Sequence, residues 1–188
     1  MSAAPPVCTA LPLLSPALLA HLAVLRPGGF APPATLEAEA RAALPAYTRA
    51  LAPLPEAELA AMVEELAEML NAGVVNPLPG VALQLRCVAL VAACATVPAL
   101  AWTAGAVRHA LAAFTFFPSA AQLVALLEEQ CGMARVTHSR LRLLVTEAEQ
   151  RVLRAQAQER RWAAWEQQQA LQPVYNPVDN VDCMKNQP

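Results

Sequence analysis

Lysine is nearly missing from this chain: Lys185 stands alone against twelve arginines among 188 residues. With so much alanine and proline beside them, the arginines reflect GC-rich coding as much as any demand for guanidinium chemistry. Cysteine is sparse and badly spaced for chemistry. Cys8, Cys87, Cys94, Cys131 and Cys183 form an odd set with no CxxC pair, which argues against a zinc site or a disulfide framework and for a reducing compartment. The Walker-type GxxxxGK[ST] loop is missing, as are GxGxxG, HExxH and GxSxG, so neither nucleotide-dependent nor common hydrolytic chemistry is indicated. Aromatic residues make up 5% of the chain. Strand formers are thin, and valines scatter without sustained alternation.

Alanine is what the chain does have, 42 residues of it. It is the best helix former but buries little surface, so the 56% hydrophobic content overstates the core. The expectation is an all-α protein: a compact helical bundle, a long basic C-terminal helix and a disordered tail. The net charge of −2 is unevenly spread. Residues 37–68 hold seven Glu against Arg41 and Arg49, a balance of −5. Residues 135–161 hold seven Arg against Glu147, Glu149 and Glu159, a balance of +4. An acidic face and a basic arm follow, which bears on partners rather than on fold.

Two apolar stretches raise the question of a membrane. The first, Met1 to Ala23, lacks a basic start and is interrupted by four prolines, unlike a secretory signal. The second, Cys87 to Val107, is uncharged and long enough to span a bilayer. Pro98 interrupts it, however, and alanine dominates it, so two buried helices around a Pro turn explain it better. No membrane contact is expected, and the expected location is the cytoplasm of a bacterial host.

Helix signals recur along the chain. Ser15-Pro16 starts a short helix with Leu18, Leu22 and Leu25 on one side, ended by Pro27-Gly28-Gly29. Thr35 is the expected cap of a second helix from Leu36 to Leu44, broken or kinked at Pro45, and the pattern is compatible with Ala46 to Leu51 either continuing that helix or leaving it. From Glu56, Leu59, Met62/Val63, Leu66 and Met69/Leu70 follow the helical period to Gly73. Val81 to Ala95 is apolar on nearly every face and is the expected buried centrepiece. Cys87 and Cys94, seven apart, fall on one face as small hydrophobes. Thr103 caps the next helix, with Val107, Ala110, Leu111 and Phe114 inward.

The sharpest local signal is the turn Phe116-Phe117-Pro118-Ser119. Its aromatics should plug the core, and Ser119 and Gln122 stand at capping-box spacing. The helix they begin carries Leu123, Leu126 and Leu127 and ends near Cys131-Gly132. From Met133 to about Ala170 neither Pro nor Gly intervenes. Leu141, Leu144/Val145, Ala148, Val152 and Ala155 give one stripe, which weakens beyond. The organisation implied is a short helix and linker over 1–34, a bundle over 35–132, a basic arm over 133–171 and a disordered tail over 172–188.

Among these residues no catalytic, cofactor or metal site is expected, and the chain is not expected to be an enzyme. His21, His109 and His138 lie far apart, and His109 is more simply a surface residue than a base. Glu64, Glu65 and Glu68, like Glu128 and Glu129, are more simply a solvated face than a carboxylate site. The arm is the stronger candidate. Arg140, Arg142, Arg151, Arg154, Arg160 and Arg161 lie on a helix long enough to follow a polyanion, and Trp162 and Trp165 are placed to stack on bases. The competing reading is a solvated helix whose Trp pair packs on the domain or on a partner helix.

The stretch Pro98-Ala-Leu-Ala-Trp-Thr, then Val107-Arg-His-Ala-Leu111, then Phe114-Thr-Phe-Phe-Pro-Ser-Ala-Ala-Gln-Leu123, resembles a pattern in small phage and prophage proteins. It is similar to helicase-loader and replication-accessory domains in which such a turn links two helices of a bundle. The likeness covers roughly residues 50–130, with Gln122 where an acidic residue is more usual. It implies a replicative helicase as partner, single-stranded DNA as a second ligand, and no catalytic residue. Without a Walker loop, any loading would be mechanical. The expected function is therefore a non-enzymatic accessory role in phage-type DNA replication. The alternative is a virion assembly or packaging protein that oligomerises through its long helix.

Overall fold

A computed structural model of the chain describes residues 10–28 and 32–171. Seven α-helices follow one another: α1 (Pro16–Val24), α2 (Ala34–Leu51), α3 (Glu56–Gly73), α4 (Gly80–Cys94), α5 (Ala104–Ala113), α6 (Ala120–Glu129) and α7 (Gly132–Leu171). A 3-10 turn, Ala99–Ala101, sits between α4 and α5. No strand occurs among the described residues, and the all-α expectation holds. The expected disordered tail lies outside the described residues. The chain divides into two units, Met1–Glu147 and Ala148–Pro188, a later division than the bundle–arm boundary at 132/133 expected from sequence.

The first unit contains two apolar clusters. The larger gathers Leu59, Val63, Leu66 and Leu70 of α3, Leu90 and Cys94 of α4, Trp102, Ala106 and Ala110 around α5, and Leu123 and Leu127 of α6. The second joins Leu18 and Leu22 of α1, Ala40, Ala43 and Tyr47 of α2, and Ala134, Leu141 and Leu144 of α7. Leu51 and Leu100 border both clusters, so the end of α2 and the 3-10 turn are the joint between them. The backbone fastens the same joint: the Ala99 amide donates to the Ala52 carbonyl at 2.8 Å.

Local chemistry accounts for several helix ends. Ser15 Oγ accepts from the Leu18 amide, and Thr103 Oγ1 accepts from the Ala106 amide at 3.1 Å. Both satisfy donors that a helix start leaves open. At α6 the box forms as expected: the Gln122 amide donates to Ser119 Oγ, and Gln122 Oε1 accepts from the Ser119 amide at 2.9 Å. Asn71 clamps the turn after α3, accepting from the Leu78 amide at 2.7 Å and donating to its carbonyl at 3.1 Å. Glu39 of α2 receives both the amide and the hydroxyl of Ser15, at 2.6 and 2.7 Å. That bridge ties α1 onto α2.

Several expectations need correction. Thr35 does not cap α2; the helix begins at Ala34 behind Pro33, with no side-chain cap. Pro45 neither ends nor splits it, and α2 runs through to Leu51. The missing hydrogen bond is tolerated because Pro45 faces outward while Ala43, Tyr47 and Ala50 hold the buried side. Leu111 is 39% exposed rather than inward; small Ala106 and Ala110 make the close approach instead. In the Phe-Phe-Pro-Ser turn Phe116 is exposed, Phe117 is half-buried and Pro118 is fully buried. The proline fills the core there, with Phe117 at its margin.

The largest correction concerns Val81–Ala95, which is not a hidden centrepiece. Leu90 and Cys94 are buried, but Val81, Leu85 and Val88 are 74%, 68% and 70% exposed. Helix α4 packs one side against α3 and α6 and turns the other to solvent. A bundle of short, alanine-rich helices has too few layers to enclose a 15-residue helix all round. Apolar composition on every face states what could be buried, not what is.

Candidate nucleic-acid and partner interface

Helix α7 carries the candidate side chains, and its two parts differ in surroundings. In the first unit Leu141, Leu144 and Glu147 are buried along one edge, while Arg140 and Arg142 on other edges are exposed. Arg135 is not free for a ligand: it donates twice to Glu128, at 2.9 and 3.1 Å. The guanidinium holds the Glu128 carboxyl below the usual range. The basic excess read from sequence is thereby reduced by one charge.

In the second unit every described side chain from residue 152 to 170 is exposed. Val152 and Ala155, expected to continue the buried stripe, are therefore solvent-facing. Arg151 is half-buried, and Arg154 donates to Gln150 Oε1 at 2.9 Å. Trp162 and Trp165 remain 61% and 51% exposed, with ring centroids 5.2 Å apart and planes tilted by 33°. At about 100° per residue, Arg151, Arg154, Arg161, Trp162 and Trp165 share a sector roughly 100° wide. Glu149, Glu159 and Glu166 fall outside that sector, and Arg160 falls opposite. The sequence thus segregates charge around this segment, bringing three of its four Arg to the Trp side.

An open groove of about 400 Å³ follows the border of this sector, lined by Ala155, Gln158, Glu159, Trp162, Ala163 and Glu166. Its small residues leave space beside a large ring.

No group of three metal-ligating side chains occurs among the described residues. Burial pushes the Cys94 thiol up to about 11 and raises that of Cys131. Cys87 rises for the same reason, with Glu64 and Glu68 of α3 adding to it. None of the three is poised as a nucleophile. No helix among the described residues is long and apolar enough to cross a membrane. His109 is exposed beside Gln130, and His138 meets Thr48 Oγ1 at 3.1 Å. The exposed row on α4 is the one surface that sequence reasoning missed. Its signal was available: positions 81, 85, 88 and 92 repeat at intervals of four, three and four.

Compared with protein-family models, with curated proteins and with solved structures, the chain finds no match.

Proposed function

We propose that this chain works by contact, as a non-enzymatic accessory protein of phage-type DNA replication. In this reading the helical unit docks on a replicative helicase, and the far part of α7 lies along single-stranded DNA. The observation carrying it is the sector of Arg154, Arg161, Trp162 and Trp165, clear of Glu149, Glu159 and Glu166 on the same segment. Phosphates reward such an arginine row by releasing counterions, and each stacked base adds about 1–3 kcal/mol. The outward row Val81, Leu85 and Val88 supports a protein partner, since an apolar row of this kind marks contact surfaces. The helicase itself is named by the resemblance of the Phe-Phe-Pro-Ser segment.

The test is titration of the full chain with an oligothymidylate, followed by tryptophan fluorescence at several salt concentrations. Quenching, with affinity falling steeply as salt rises, is expected. Replacing Arg151, Arg154, Arg160 and Arg161 by Ala should flatten the salt slope by about 0.7 for each single-strand phosphate that is no longer neutralised. Unchanged fluorescence at low salt would remove the nucleic-acid reading, and failure to bind a replicative helicase would remove the replication assignment.

A further inference from the structure

The second unit is a lone helical segment with no described side chain buried beyond Arg151. In proteins most helical stability comes from the packing of an amphipathic face rather than from propensity alone. The residues name what covers this one. Counting in sevens from Leu141, a first line holds Ala148, Ala155, Trp162 and Gln169. A second line, from Leu144, holds Arg151, Gln158 and Trp165. These are the a and d lines of a heptad, and both tryptophans sit on them. The arginine and glutamine on the second line disguise the repeat.

The flanking positions decide the occupant. On one side of the seam, the g line holds Arg154 and Arg161; on the other, the e line holds Glu159 and Glu166. None of the four has an opposite charge three or four residues away in its own helix, where a single helix would pair it. In a parallel two-stranded coil each g side chain faces the e side chain five residues further along the partner. Arg154 then meets Glu159, and Arg161 meets Glu166, twice over by symmetry. An antiparallel pair would set arginine against arginine and glutamate against glutamate. The groove beside Trp162, with Ala155 and Ala163 leaving room, lies on this seam and can accept a partner's side chain.

We propose that two copies of this chain associate through residues 152–169 of α7 as a parallel, in-register coiled coil, with Trp162 and Trp165 in its seam and Arg154–Glu159 and Arg161–Glu166 pairing across it. The tilted ring pair is the main apolar element, and Gln158 at d keeps the association weak while fixing its register. The same rings serve the nucleic-acid contact proposed above, so on a given pair of helices a second copy and a single strand compete. The dimer itself does not depend on that reading.

Sedimentation equilibrium of the full chain, without nucleic acid, tests it. A reversible monomer–dimer equilibrium is expected. Arg154→Glu with Arg161→Glu should weaken the dimer by about tenfold or more, since four cross-pairs become repulsive. Glu159→Arg with Glu166→Arg should do the same. Mixing the two double variants should restore association, because every cross-pair is then opposite in sign. A chain that stays monomeric at all concentrations overturns the proposal. So does a dimer indifferent to either double reversal, which would be held elsewhere or in the other orientation.

Discussion

The two parts of α7 are made from one uninterrupted helix, yet Leu141 and Leu144 are fully buried while Val152, further along the same stripe, is 57% exposed. Helix propensity hardly distinguishes the two parts; what differs is whether anything covers the stripe. In the first part α1 and α2 supply the cover through Leu18, Leu22 and Tyr47. Helical periodicity therefore reports a helix in both places, but it reports a core only where other elements arrive.

Mutation sharpens that contrast. Leu144→Ala should cost roughly 2–5 kcal/mol in a denaturant melt, the range for truncating a buried leucine. Val152→Ala should stay within about 0.5 kcal/mol, as surface changes do. Equal losses at the two sites would erase the distinction. At the edge of the core, Phe117→Ala should fall between them, at about 1–3 kcal/mol, because the ring is only half-buried. Ser119→Ala should cost about 1 kcal/mol by opening one end of the capping box.

The smallest expected effect is on pH dependence. Burial, helped by the Arg142 charge, lowers the His138 pKa from its ordinary 6.5. The unfolded chain then binds more protons than the folded one as pH falls through that value, so stability declines on acidification and is regained above it. His138→Gln should flatten this slope in melts compared at neutral and mildly acidic pH, whereas the far part of α7, which has no histidine, contributes none of it.

How far the fold was legible followed the range of each interaction. The Ser119–Gln122 box, the Ser15 and Thr103 caps and the α3 stripe all rest on residues within a turn or two, and their sequence patterns led directly to them. The reach of α2 through Pro45 and the exposure of α4 depend on which helices pack where, and that information is spread over the chain. Thr35 failed as a cap for a related reason: the segment behind Pro33 enters the helix two residues earlier. In the candidate interface, the arginines and tryptophans were recognisable by type. Their sorting around the helix was hidden by Arg151 and Gln158, which break the apolar pattern without breaking its period.

The three tryptophans give the molecule its own optical labels. Trp102 is 4% exposed inside the first unit, whereas Trp162 and Trp165 stand in solvent in the second. Emission from Trp102 should be blue and sheltered from acrylamide; that of the pair should be red and readily quenched. One spectrum of the unlabelled protein thus separates melting of the core from events on the outer helix.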